Sequence, residues 1–401
     1  MQHYTQKFAF RFKENDNWCM LNRNVKFLTW FNFFISFRLY FPIAILYFAK
    51  VTGSYALGMS VFGLAQISQA LFEVPTGVFS DYIGRRKTVI IGAFFAVLSV
   101  ISYSFGIGWA LFLGAIFEGL QRSFHSGNND ALLYDSLKES GEEKEYHSYY
   151  GKLSAMFQVA AGIGSLIGGI IAFYSFSLVF YLSIIPQIVC VLLAFQLIEP
   201  KNIEKQTSNI YAHLSESIKL FIKNPKLRLL SFADIWGFGL GETGYQFRSA
   251  FINMVWPIWA IGIPQVLSSF GATAGFFYAG KVIKKYGGAK VLLLGSIYDK
   301  VAGIISLTFI SVFSPLLMVT TSPNFGLSTT AKSSLMQKEF SDHQRATMSS
   351  LNSLAGSLFF AIMAYLIGFV ADKFNPAQAL LTLTLFSIPN IWIYWKLFKH
   401  K

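Results

Sequence analysis

Apolar runs of about twenty residues recur along this chain with only short polar interruptions. They lie near residues 27–49, 57–80, 88–106, 109–135, 149–172, 175–197, 228–250, 256–280, 290–312, 315–335, 347–371 and 377–396. A helix needs ~20 mostly apolar residues to cross a bilayer, so the pattern predicts twelve spanning helices. The 109–135 run is the least regular, because Asn128, Asn129 and Asp130 are polar where the helix should be leaving the membrane. The longest polar stretch, 199–226, halves the chain. The expected architecture is an all-α integral membrane protein of two pseudo-symmetric six-helix bundles, 27–198 and 227–397. Residues 199–226 form a cytosolic linker between them, and 1–26 and 398–401 are short cytosolic ends.

Composition agrees. Hydrophobic residues make up 54% of the chain and charged residues 13%, about half the roughly 25% charge of a soluble domain. A net charge of +13 raises the question of nucleic acid. The basic residues, however, sit in short clusters between apolar runs and form no binding face. Read by the positive-inside rule, Arg85 to Lys87, Lys138, Lys144, Lys201 through Lys226, Lys281 to Lys290, Lys338 and Arg345 mark one side of the membrane, and the opposite connections hold little beyond Lys50 and Lys373. Both termini are therefore expected in the cytosol, with no nucleic-acid partner. The first residues contain no short apolar segment with a cleavage site. Two cysteines, Cys19 and Cys190, suggest neither a disulfide framework nor a metal site. No cofactor or catalytic constellation is expected. GFFYAGKV at Gly275–Val282 imitates a phosphate loop, but it continues an apolar helix and ends in Val282 where Ser or Thr would bind magnesium.

The halves carry an internal echo. GVFSDYIGRRK, Gly77 to Lys87, returns as GKVIKKYGGAK, Gly280 to Lys290, with glycine kept at the first and eighth positions and Lys284 standing where Asp81 does. Parallel repeats of this kind suit a transporter whose halves rock around a midplane site.

The first copy of that segment also resembles the signature of the major facilitator superfamily, G-x-x-x-D-x-x-G-R-[RK]-x-[RK]. Gly77, Asp81, Gly84, Arg85 and Arg86 match, and Thr88 takes the last basic place. Physically, Gly77 is expected to let helices approach closely and Gly84 to permit a tight turn. Asp81 would act as a latch that pairs only when the cytosolic side is closed. The resemblance implies that Asp135, in ALLYDSL, joins Arg85 in the same charge relay. Proton-coupled exporters of this superfamily carry a helix ending G-P-x-x-G-G. Here Gly164, Gly168 and Gly169 match with Ser165 in place of proline, and close packing by small residues explains the same glycines.

Ionisable residues at membrane depth are costly and functional by default. Gln66, Gln69, Glu73 and Gly77 share one helical face, as do Glu118, Arg122, His125 and Asn129. Glu118 and Arg122 can pair along their helix, or Arg122 can tune a proton-carrying Glu118 or Glu73. His125 is either a titrating group or a satisfied packing group. Arg38 lies mid-helix in FNFFISFRLYFPIAIL and needs a carboxylate or an anionic substrate, with Glu73 the expected partner. In the second half Asp234 and Glu242 lie eight residues apart, with Tyr245 close by. Asp299 and Lys300 have no assigned partner.

The function expected is secondary active transport of a small molecule, proton-coupled and without enzymatic chemistry. The direction expected is export of amphipathic compounds by a monomeric protein of a bacterial inner membrane, with the lipid bilayer and protons as its other partners. Transport of an anionic, carboxylate-bearing metabolite or siderophore is the alternative. A membrane sensor or scaffold without turnover is the alternative of another class.

Overall fold

The computed structural model describes Leu21, Arg23–Pro200, Asn224–Gln337 and Asp342–Lys399. The expected cytosolic ends and most of the expected linker lie outside these residues. The described residues form helices and turns. They run α1 (residues 23–36), a 3-10 turn at Phe41–Ile43, α2 (Ala44–Thr52), α3 (Tyr55–Ile83), α4 (Arg85–Ser104), α5 (Gly108–His125), α6 (Asn128–Ser140), α7 (Tyr146–Tyr174) and α8 (Phe176–Phe195). After the linker come α9 (Pro225–Val255), α10 (Gly262–Tyr286), α11 (Gly288–Thr308), α12 (Ser314–Val319), α13 (Ser322–Gln337), α14 (Asp342–Lys373), α15 (Pro376–Phe386) and α16 (Pro389–Lys399).

Among the described residues, nine helical segments are long and apolar enough to cross a membrane. The three expected spans outside that set are the polar ones. The 109–135 run is cut into α5 and α6 at Ser126–Gly127, where Gly127 takes φ +68°. The 315–335 run is cut into α12 and α13 at Thr320–Thr321, just before Pro323. The 228–250 run is one long helix, α9, whose apolar character is diluted by Asp234, Glu242 and Arg248.

The internal echo is written in the backbone. Gly84 ends α3 and opens α4 at φ +100°, and Gly287 does the same between α10 and α11 at φ +80°. A side chain in that region is strained, which is why glycine recurs at the eighth position. The first glycine of each copy does something else. A Cβ on Gly77 or Gly280 would meet nothing within 4 Å, so the expectation that Gly77 permits a close helix approach is not met.

The chain divides into two compact units. One holds the chain up to Tyr40, Ser68–Gly164 and Ser177 onward to the linker; the other holds Phe41–Ile67, Ser165–Phe176 and the rest. The first has its core around Leu28, Phe31, Val89, Ala93, Leu133 and Ala194. The second is centred on Met59, Phe247, Phe251, Phe360 and Leu380. In the second unit Asp372 fixes the start of α3, accepting from Ser54 Oγ at 2.6 Å and from the backbone N–H groups of Tyr55 and Ala56 at 2.6 and 2.9 Å. Backbones meet closely where glycine allows, as Gly275 does against Pro323 and Gly326 against Phe276. Outward positions are strongly apolar, with Phe277 76% and Phe313 73% exposed, as lipid-facing side chains should be.

Candidate functional site

The first span loses its helix at Phe37–Tyr40. Non-helical backbone at membrane depth is tolerated only where protein or a cavity satisfies it. Here Phe37 N–H donates to Phe34 O at 3.2 Å and Arg38 N–H to Ser36 O at 2.8 Å. Tyr40 wedges the break, stacked on Phe180 at 5.2 Å and edge-on to Tyr103 at 5.8 Å. Gly164 of α7 lets that helix come close, since a Cβ there would sit 3.4 Å from Arg38 N.

The break aims Arg38 at α5. Its Nη1 donates to Glu118 Oε1 at 2.7 Å, its Nη2 to Gln121 Oε1 at 2.9 Å and its Nε to Ile35 O at 3.1 Å. Arg122, one turn on, donates Nη2 to the same Glu118 Oε1 at 2.6 Å, as the i, i+4 spacing predicts. Tyr103 of α4 donates its hydroxyl to Glu118 Oε2 at 2.8 Å. Glu118 is buried, 6% exposed, and so sits where the break, α4 and α5 meet, each contributing a donor. Charge-assisted bonds of this kind are about twice as strong as neutral ones. Tyr103 is seated against Gly114, where an added Cβ would lie 2.7 Å from its ring.

The expected Arg38–Glu73 pair is replaced by Arg38–Glu118. Glu73 instead accepts from Ser126 Oγ at 2.9 Å, while its helix is fixed to α5 by Thr76, whose hydroxyl bonds Ser123 Oγ at 2.9 Å. His125 is a satisfied packing group. Its Nδ1 faces Gln121 Nε2 at 2.8 Å, its Nε2 faces Val89 O at 3.4 Å, and its ring stands edge-on to Phe31 at 5.1 Å.

Of the residues expected to form a latch, Asp81, Gly84, Arg85 and Arg86 lie at the α3–α4 turn and Asp135 reaches it from α6. Arg85 Nη1 lies 2.8 Å from Asp81 Oδ1, and its Nε lies 3.5 Å from Asp135 Oδ2, an ionic contact without a hydrogen bond. Arg86 donates to Phe195 O at 3.0 Å. A residue the sequence did not single out completes the turn. Glu199, just past α8, accepts from the backbone N–H groups of Arg85 and Arg86 at 2.6 and 2.8 Å. A carboxylate on a helix N-terminus both fills orphan donors and meets the positive end of the dipole. Asn24 stitches the same segment to α1, bonding Ile198 N–H and O at 2.8 and 3.0 Å.

In the second unit the charges form separate short-range contacts. Asp234 pairs with Lys332 Nζ at 2.8 Å, a partner from α13 absent from the sequence reading. Glu242, though on the same helix, accepts from Gln246 Nε2 at 2.7 Å. The Tyr245 hydroxyl accepts from Gln265, and its ring meets Phe41 at 5.7 Å. Asp299 accepts from Asn324 Nδ2 at 2.8 Å. Lys332 was findable by its charge inside an apolar run, whereas Tyr103 and Gln121 stand out only as uncharged polar groups among apolar neighbours, a weak signal.

The chain is 24% identical to a tetracycline resistance protein, class B, of Escherichia coli, covering 75% of this chain and 77% of that one. It is 22% identical to an uncharacterized MFS-type transporter of Methanocaldococcus jannaschii over 86% and 90% of the two chains. An uncharacterized transporter of Buchnera aphidicola is 29% identical, but the match spans only 40% of either chain. Among solved structures, a mutant of the nucleoside transporter NupG superposes with a TM-score of 0.82 at 13% identity, covering 94% of this chain and all of that one. A bacterial homolog of the lysosomal transporter Spinster gives 0.71 at 15% identity, over 94% and 96%. At such identities the structural likeness speaks for the fold alone. Residues 27–364 match the sequence model of the Major Facilitator Superfamily, and the chain belongs to that superfamily of membrane transporters.

Proposed function

We propose that the protein is a proton-coupled secondary transporter that exports amphipathic small molecules by alternating access, its two six-helix halves rocking about a central site. The observation that carries this reading is the Glu118 carboxylate, buried and held by donors from three directions: Arg38 at the helix break, Tyr103 on α4 and Arg122 on α5. A proton on Glu118 cancels the charge that holds both guanidiniums, so loading it loosens the break from α5. This is the kind of two-state element that coupling requires. The direction of transport rests on the tetracycline resistance relatives, whose names state what those proteins confer. On this reading the protein works as a monomer in a bacterial inner membrane with both termini in the cytosol, and Arg85 latches the α3–α4 turn through Asp81 and Asp135.

A second reading has its own support. Two guanidiniums converge on one oxygen of Glu118, and planar forks of this kind suit a carboxylate-bearing substrate that takes the place of Glu118. The two readings differ in the charge of the preferred ligand. Thermal stability of the purified protein against lipophilic cations and against small carboxylates separates them, because a ligand at ~100 times its dissociation constant adds ~2.7 kcal/mol to the native state. Stabilisation by amphipathic cations that survives Arg38→Gln supports export of amphipathic compounds. Stabilisation by carboxylates that is lost in Arg38→Gln and Arg122→Gln replaces it with the anion transporter.

A further inference from the structure

The last expected span is two helices. α15 stops at Phe386, Ser387 and Ile388 turn, and Pro389 opens α16. Proline has no N–H to continue a helix, and the chain passes it on tight bonds, Ile388 N–H to Leu385 O at 3.1 Å and Ile391 N–H to Ile388 O at 2.9 Å. Beside this turn lies a groove of about 500 Å³, lined by Leu293 and Ile297 of α11 and by Ile388, Pro389, Trp392 and Trp395. Its walls face away from the protein: Ile388 is 42% and Trp392 53% exposed.

One end of the groove is basic. Lys396 Nζ lies 3.9 Å from the centre of the Trp392 ring, and Lys399 Nζ lies 4.2 Å from that of Trp395. The ammonium groups are thus held on the indoles at the groove's edge. Leu292 and Leu293 pack in one cluster with Ile393, Tyr394 and Leu397, so the first turns of α11, with Lys290, meet the last turns of α16. No acidic residue occurs in Pro376–Lys399. The acidic residue of α11, Asp299, accepts from Asn324.

We propose that this groove is a binding site for an anionic glycerophospholipid, one acyl chain lying along Leu293, Ile297 and Ile388 and the phosphate meeting Lys396 and Lys399. The reasons are complementary. An apolar trough in a membrane-spanning segment is filled by hydrocarbon, so the occupant has an acyl chain. Tryptophan settles at the level of lipid headgroups, which places the polar part of that lipid beside Trp392 and Trp395. Two ammonium groups without a nearby acid on their own helix select a negative head over a zwitterionic one, since a choline would bring a third cation to the same place. Basic pockets between spanning helices bind anionic lipid heads on these grounds. The bound lipid would splint the proline turn against α11.

The test uses the full-length protein in detergent, titrated with phosphatidylglycerol or with phosphatidylcholine of the same acyl chains, and reads the thermal midpoint. The wild type is stabilised at about a thirtyfold lower concentration of phosphatidylglycerol, from two basic residues at about 1 kcal/mol each at the lipid surface. The double variant Lys396→Gln/Lys399→Gln responds equally to the two lipids. Ile297→Phe, which narrows the groove, weakens the response to both. Equal response of the wild type to the two lipids, or a preference that persists in the lysine variant, overturns the proposal. A detergent-purified dimer that Trp392→Ala dissociates does so too, by assigning the face to a second copy of the chain.

Discussion

Arg38 and Glu118, eighty residues apart, form a 2.7 Å ion pair at the point where the first span loses its helix. The relationship is reciprocal. The break frees the backbone to turn Arg38 toward α5, and the pair gives the break a fixed end. Removing one partner of a buried pair typically costs about 3–5 kcal/mol. Because Arg122 still answers Glu118, Arg38→Gln is expected at or below about 3 kcal/mol in unfolding, with coupled transport abolished. Normal transport by that variant would remove Arg38 from the mechanism.

Tyr103 is predicted to act through Glu118 and to depend on Gly114. A methyl on Gly114 would press into the Tyr103 ring, so Gly114→Ala and Tyr103→Phe should produce the same defect. Each is expected to cost about 1–2 kcal/mol through the lost hydrogen bond. The double variant should cost clearly less than the sum of the two, because both changes remove one interaction. Full additivity in thermal unfolding would show that the two residues act independently.

Glu199 fastens the end of α8 to the start of α4. Glu199→Ala is expected to destabilise by about 1 kcal/mol, the usual worth of a helix cap. Gly84→Ala is expected to cost more, since it combines left-handed strain with a Cβ 2.8 Å from the Glu199 carboxylate. Limited proteolysis in the linker measures the same event, with faster cleavage in both variants. Unchanged cleavage would mean that the contact does not restrain the linker.

Asp234 and Lys332 are paired at 2.8 Å with side chains 30% and 19% exposed. Solvent screening limits such a pair to about 1 kcal/mol. Asp234→Asn and Lys332→Gln should therefore each lower stability modestly, and the combined variant should recover part of the loss. A double-mutant cycle with no coupling energy would show the contact to be incidental.

Much of this was legible in the sequence. Gly84 was readable as a turn because its echo at Gly287 repeats the same interval, and both adopt positive φ. Glu118 and Arg122 were readable as a pair because an α-helix fixes their spacing. The partner of Arg38 was not: Pro42, four residues on, marks the helix break because it has no N–H to return to the Arg38 carbonyl, but local spacing says nothing of how α3, α4 and α5 stand around it. Gly77 misled for a related reason: a glycine on an open helix face has the same letter as one under a crossing backbone. The interruptions in the 109–135 and 315–335 runs were visible as Asn128 and Pro323, but whether such residues bend, break or merely decorate a helix depends on what packs beside them.

The central claim, that protonation of Glu118 is coupled to substrate movement, is tested most directly by proton flux in proteoliposomes. Wild-type vesicles, given amphipathic compounds and small carboxylates in turn, should release or take up protons with one class. Glu118→Gln should show no proton movement while still exchanging labelled substrate at equal concentrations on the two sides. Substrate-driven proton flux of wild-type size in Glu118→Gln would contradict the account.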